Sequence, residues 1–93
     1  ENIGLSVADM NDDIASQLGY DLDEGVVITA VERGSSAELA GLEAGNVILG
    51  VNRVQVSNVD EFNKEMVKAA ERERLLLRVR SGRRSYFVIL LLD

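Results

Sequence analysis

Short apolar runs of period two, punctuated by glycine and never by proline, constrain this 93-residue chain more than any other feature. Ile3, Leu5 and Val7 alternate with Gly4, Ser6 and Ala8. Gly25 opens the β-branched stretch Val26–Val31, and Asn46–Val51 and Arg53–Val56 follow. Leu75, Leu77 and Val79 then alternate with Leu76, Arg78 and Arg80 ahead of a Ser81-Gly82 turn, and Tyr86–Leu92 returns as a last apolar strand, making a terminal hairpin. Alternation of this kind puts every second side chain on one face, so each run predicts a strand with a buried side. Six such runs in so short a chain point to several short strands.

Helical signals are fewer and mostly brief. Asn11 ahead of Asp12 and Asp13 is a start signal, with Ile14 and Leu18 expected on the inward face and Gly19 closing the helix. Ser35 and Glu38 have the spacing of a capping box, with Leu39 and Leu42 expected to turn inward and Gly41 suited to a left-handed C-terminal position. The one long helical pattern is Val59–Ala70, capped by Asn58 and Glu61, with Asp60 and Glu61 in its first turn and Lys64 and Lys68 later. The expected order is strand, helix, strand, short helix, strand, strand, long helix, strand, strand. That is an α+β arrangement, a partly open β-barrel of five to six short strands capped by two to three helices.

The chain is one domain, 1–93, because a second core would lack the volume to bury its own apolar surface. It opens on Glu1 rather than Met and reads as a fragment of a larger chain. With 46% hydrophobic and 28% charged residues it is too apolar for disorder. Its longest apolar run, Tyr86–Leu92, falls far short of the roughly 20 residues of a membrane span, so no membrane insertion is expected. The absence of His and Cys removes the usual general base, the thiolate nucleophile and the common metal ligands, so no catalytic residue, no metal and no cofactor is assigned. Asp12 and Asp13 are the one acidic pair open to a catalytic reading, and adjacent acids at a helix start are ordinarily partners of the helix dipole. The charge is lopsided: residues 1–70 hold thirteen acids against four bases, residues 71–93 six arginines against three acids, for a net charge of −6. That sign opposes nucleic-acid binding, which depends on neutralising phosphates.

The wording of the middle of the chain is more specific than its composition. Gly25-Val26-Val27-Ile28, Val31, and the run Gly34-Ser35-Ser36-Ala37-Glu38-Leu39-Ala40-Gly41-Leu42-Glu43-Ala44-Gly45-Asn46-Val47-Ile48-Leu49-Gly50-Val51-Asn52 resemble PDZ domains, in particular those of bacterial HtrA/Do-type (DegP/DegQ-like) serine proteases. The resemblance continues through Val56–Phe62 and back to Ile3–Val7, and the terminal strands are more similar to the second, C-terminal PDZ domain of such proteases than to the first. Three departures stand out. Ser36 replaces the family's usual proline, Asn46 its usual aspartate, and Glu1 and Asn2 stand where a base often precedes the carboxylate loop.

The resemblance implies a PDZ fold in the bacterial, circularly permuted strand order, acting as a non-catalytic peptide-binding module of a periplasmic serine endoprotease. Ile3, Gly4 and Leu5 would form the loop whose amides hold a ligand's carboxylate, and Leu5, Ser6 and Val7 the strand that pairs with it. Val59, Asn63 and Met66, at helical spacing, would line the groove, while Phe62 and Ala69 turn toward the core. The expected ligands are hydrophobic C-termini or extended segments of unfolded polypeptides, added as an extra strand. Gly4→Val is expected to weaken binding sharply while leaving much of the fold intact. The alternative is a scaffold: the arginine-rich hairpin docks onto the upstream protease domain or sister PDZ domains and sets the oligomeric state.

Overall fold

In the computed structural model, which describes residues 4–20, 25–71 and 74–91, the alternating runs become strands and the capped segments helices. In chain order these are β1 (Leu5–Asp9), α1 (Asp12–Leu18), β2 (Val26–Val31), α2 (Ser36–Leu39), β3 (Val47–Val51), β4 (Val54–Gln55), α3 (Val59–Ala70), β5 (Arg74–Ser81) and β6 (Arg84–Leu91). The order is the one expected. The strands form one antiparallel sheet, β1-β2-β3-β5-β6, with β4 hairpinned onto β3. The sheet is open, with β1 at one edge and β6 at the other.

Register decides which side chains meet. Val26 pairs with Ile48, Ile48 with Val79, and Val51 with Leu77, so one face of the sheet becomes a continuous apolar layer. All five are fully buried, and each such side chain contributes about 1.5–3 kcal/mol relative to exposure. Phe62 and Ala69 of α3 close this main core, along with Ala37 and Leu42 near α2. One residue along, Val27 pairs with Val47, and both point to the opposite face, where they pack with Met10, Ala15 and Tyr20 beneath α1. Tyr20 fastens this smaller cluster: its hydroxyl oxygen lies 2.7 Å from the Gly45 carbonyl and 3.1 Å from that of Arg80, donating to one of them, and accepts from the Gly82 amide at 3.3 Å.

The helix ends follow from local chemistry. Asn11 Oδ1 accepts from the Ile14 amide at 2.8 Å with Asp12 and Asp13 in the first turn of α1, which makes them dipole partners. Asn58 Oδ1 accepts from the Glu61 amide at 2.9 Å, and Glu61 Oε1 reaches back to the Ser57 amide at 2.7 Å, a box displaced by one residue from the usual form. Ser36 is the first helical residue of α2, where the family's proline would also fit, since the amide it lacks has no partner within the helix.

Two expectations fail. Leu39 is 83% exposed and Leu18 42% exposed, while Ala37 and Ala15 are the buried residues of their helices. Helices of four and seven residues are too short for period alone to fix which side faces in, and the small side chains let the backbones approach.

Candidate functional site

Beside β1 runs α3, and the space between them is built from residues more than fifty positions apart in sequence. Leu5 and Val7 on the strand and Val59 and Met66 on the helix are all half-buried and all packed against the main core. All four belong to the apolar layer where α3 approaches β1. Ser6 points to solvent from the same strand, and Asn63 is exposed on the helix. Of the residues singled out from sequence, the structure therefore brings Leu5, Val7, Val59 and Met66 together; Ile3 lies outside the described residues. As expected, Phe62 and Ala69 turn away into the core.

One contact ties the strand to the helix, and a bulge shapes the strand's start. At one end Asp9, the last residue of β1, accepts a 2.8 Å hydrogen bond at Oδ1 from the amide of Val59, the first residue of α3. This carboxylate satisfies an amide the helix cannot and sits at its positive pole. At the other end β2 contributes an extra residue: Ser6 pairs with Ala30 but Val7 with Ile28, a bulge that sharpens the local twist where β1 begins. Among the described residues β1 has a single strand neighbour, β2, so its second edge faces outward.

Gly4 leads into that edge. Its φ of +89° lies in the region glycine alone adopts freely, and its carbonyl accepts from the Glu32 amide at 2.7 Å. A β-carbon here would run into the Cβ and Oγ of Ser35, well inside van der Waals contact. Ser35 cannot simply turn aside, because its Cβ is fixed to the backbone and its Oγ is engaged twice. It donates to the Glu32 carbonyl at 2.6 Å and accepts from the Glu38 amide at 3.2 Å as the cap of α2. The loop ahead of β1 is thus braced against the start of α2. The expectation that Gly4→Val would leave the fold largely intact is corrected by this contact, since any side chain at position 4 also displaces the helix cap.

Sequence reasoning passed over Asp9 and read Ser35 only as a helix cap; their partners Val59 and Gly4 lie 50 and about 30 residues away. The departure at Asn46 also acquires a local account. This residue is buried, and its amide nitrogen donates to the Tyr86 hydroxyl at 3.2 Å, a contact that an ionised carboxylate, an acceptor only, makes with the donor and acceptor exchanged. Burial, followed by the charge of Glu43 and then Tyr20, raises the Tyr86 phenol above its ordinary pKa of 10.0.

A family model for the PDZ domain matches residues 1–80. A probable periplasmic serine endoprotease, DegP-like, from Chlamydia muridarum is 38% identical over 94 aligned positions, covering all of this chain and 19% of that protein. The periplasmic pH-dependent serine endoprotease DegQ of Escherichia coli K12 is 36% identical over 67 positions, covering 72% of this chain and 14% of its own length. The chain spans about a fifth of the length of the curated relatives it matches over its whole extent. Among solved structures, the HtrA3 PDZ domain bound to a phage-derived ligand, FGRWV, superposes with a TM-score of 0.81 at 19% identity, over 96% of this chain and 81% of that one. The HtrA-type protease AlgW with a decapeptide gives 0.76 at 24% identity, over 96% of this chain and 27% of that one. At these identities the superpositions speak for the fold.

Proposed function

We propose, from the premise that this chain belongs to the PDZ domain family, that it binds polypeptide by adding it as a strand along the outer edge of β1. The observation that carries this reading is an outward-facing strand edge lying beside a helix, with half-buried apolar side chains on both. Strand addition needs both: main-chain hydrogen bonds for affinity and a side-chain pocket for selectivity. In this reading the backbone around Ile3, Gly4 and Leu5 holds the ligand's terminal carboxylate, and the positive φ of Gly4 supports a loop that turns successive amides toward an anion. Leu5, Ser6 and Val7 pair with the ligand backbone. Val59 and Met66 receive its last side chain, with Asn63 at the exposed surface of the same helix. These apolar side chains favour ligands ending in Val, Leu, Ile, Ala or Phe.

The relatives are named periplasmic serine endoproteases, which supports periplasmic residence and a place for residues 1–93 as one domain of a longer protein of that class. The domain captures hydrophobic C-termini or extended segments of unfolded protein, and cleavage belongs to another part of the parent, upstream. The scaffold reading, contact with the protease domain and sister PDZ domains, draws its support from the charge asymmetry alone.

Fluorescence anisotropy with a labelled Val-terminated peptide, as free acid and as C-terminal amide, tests the proposal. Saturable binding of the acid, weakened at least about tenfold in the amide, is the expected result, since charge-assisted hydrogen bonds to the carboxylate are the strong ones. No binding of either form leaves the scaffold reading in possession; equal binding of both removes the carboxylate loop from the mechanism.

A further inference from the structure

On the face of the sheet opposite the main core, α1 covers Ala8, Val27, Val47 and part of Leu49, and the covering stops there. The remainder carries apolar side chains in the open: Phe87 is 66% exposed and Ile89 62% exposed. They are grouped, since on adjacent strands Leu76 pairs with Ile89 and Arg78 with Phe87. An open slot of about 320 Å³ separates the β3–β4 hairpin from β5 and β6, walled by Leu49, Val54, Leu76 and Phe87. Gly50 keeps it open, because a side chain there would stand 3.3 Å from the Val54 carbonyl oxygen and 3.5 Å from Arg78 Cβ. A second hollow, sharing Arg53 and Leu76, extends it toward Asn52 and Arg74.

The rim is basic. Arg53, Arg74 and Arg78 are exposed, form no ion pair among the described residues, and share neither hollow with a described carboxylate. Arg53 is also held in an unfavourable backbone. Asn52 and Arg53, at φ +50° and +73°, make the two-residue turn between β3 and β4, whose second position strongly prefers glycine. Asn52 fixes that turn to β5, its amide donating to the Leu76 carbonyl at 2.7 Å and its Oδ1 accepting from the Leu76 amide at 2.8 Å. Glycine at position 53 would relax the turn and remove the guanidinium from the rim. Backbone strain retained at a basic, apolar cleft is the kind of feature that points to binding.

We propose that this slot is a second peptide site, for an extended segment in which one large apolar side chain is flanked by carboxylates at alternate positions. The spacing comes from β5. Arg74, Leu76 and Arg78 project from one face at intervals of two residues, about 7 Å apart along a strand. A ligand of pattern acid-x-aromatic-x-acid places its aromatic against Leu76 and Phe87 and its carboxylates against the flanking guanidiniums. Three arginines without an ion-pair partner among the described residues, around a slot of side-chain dimensions, fit such a segment better than they fit a flat anionic surface. The site needs no chain terminus and does not depend on the β1 groove.

The test is an NMR titration of the ¹⁵N-labelled chain with acetyl-Gly-Glu-Thr-Phe-Thr-Glu-Gly-amide, whose blocked ends exclude carboxylate capture. A glutamine-for-glutamate version and phosphatidylglycerol vesicles serve as parallel arms. The proposal expects saturable shifts at Gly50, Arg53, Leu76, Arg78 and Phe87 with β1 unmoved, and at least about fivefold weaker binding of the glutamine peptide and of Arg78→Glu. It also expects Arg53→Gly to bind more weakly while melting at a higher temperature, which a purely structural arginine would not combine. Absence of saturable shifts at millimolar peptide, equal binding of the glutamine peptide, or vesicle binding without peptide binding would overturn it.

Discussion

Alanine at position 4 should damage the domain through two separable mechanisms, and the structure allows each to be sized. At φ +89° a β-carbon carries a conformational penalty of about 1–2 kcal/mol. Its collision with Ser35 displaces the cap of α2, and losing such a cap costs about 0.5–2 kcal/mol. Gly4→Ala should therefore lose about 1.5–4 kcal/mol, which at about 4–8 °C per kcal/mol for a domain of this size lowers Tm by at least about 6 °C. Ser35→Gly removes both offending atoms, and glycine at a cap position costs only a few tenths of a kcal/mol. The double variant should retain the dihedral penalty and shed the collision, so a double-mutant cycle in urea should show favourable coupling of about 1–2 kcal/mol. Peptide affinity should follow, falling in Gly4→Ala and partly recovering in the double variant as the loop regains its seat. Additivity of the two single changes within about 0.5 kcal/mol would refute the proposed bracing of the loop by Ser35.

Other changes probe the rest of the site. Asp9→Ala removes the charged acceptor from the Val59 amide and should cost about 1 kcal/mol in urea denaturation while weakening peptide binding, because α3 is no longer held to the end of β1; unchanged affinity would detach this tether from function. Met66→Ala, truncating a half-buried side chain, should cost about 1–2 kcal/mol and shift preference from Val-ended toward Phe-ended peptides, as read by competition anisotropy. For Tyr86, the folded state holds the phenolic proton more tightly than the unfolded chain. Its contribution to stability is thus complete below pH of about 10 and declines as pH rises through the folded-state value, so urea midpoints should drop more steeply above that pH in the parent than in Tyr86→Phe.

Much of this architecture was legible because its determinants are local. Asn11 and Asn58 announce their helices with side-chain caps only three residues from their partners, and the alternation of Leu75, Leu77 and Val79 with Arg74, Leu76 and Arg78 survives intact in β5. Val59 and Met66 were likewise identified through helical spacing joined to family resemblance. What stayed hidden depends on contacts between distant segments. Nothing near Asp9 in the chain points to Val59, and nothing near Gly4 points to Ser35. Leu39 misled because a single helical turn carries no usable period, and the exposure of its side chain is set by how α2 sits on Ala37 and Leu42. The continuous apolar run from Tyr86 announces a strand but not which of its faces is covered. In the fold β6 is an edge strand, and Phe87 and Ile89 face outward beyond the reach of α1.

The central claim, that ligand joins the sheet at β1, is most directly tested by residue-resolved amide hydrogen exchange with and without a Val-terminated peptide. Along the path β1-β2-β3-β5-β6 the outer strands are β1 and β6, and they give opposite outcomes. New protection of the β1 amides that face away from β2, at saturating free-acid peptide and not with its amide, is the result expected here. Protection that appears along β6 instead, or binding that leaves the β1 amides exchanging as before, would contradict it.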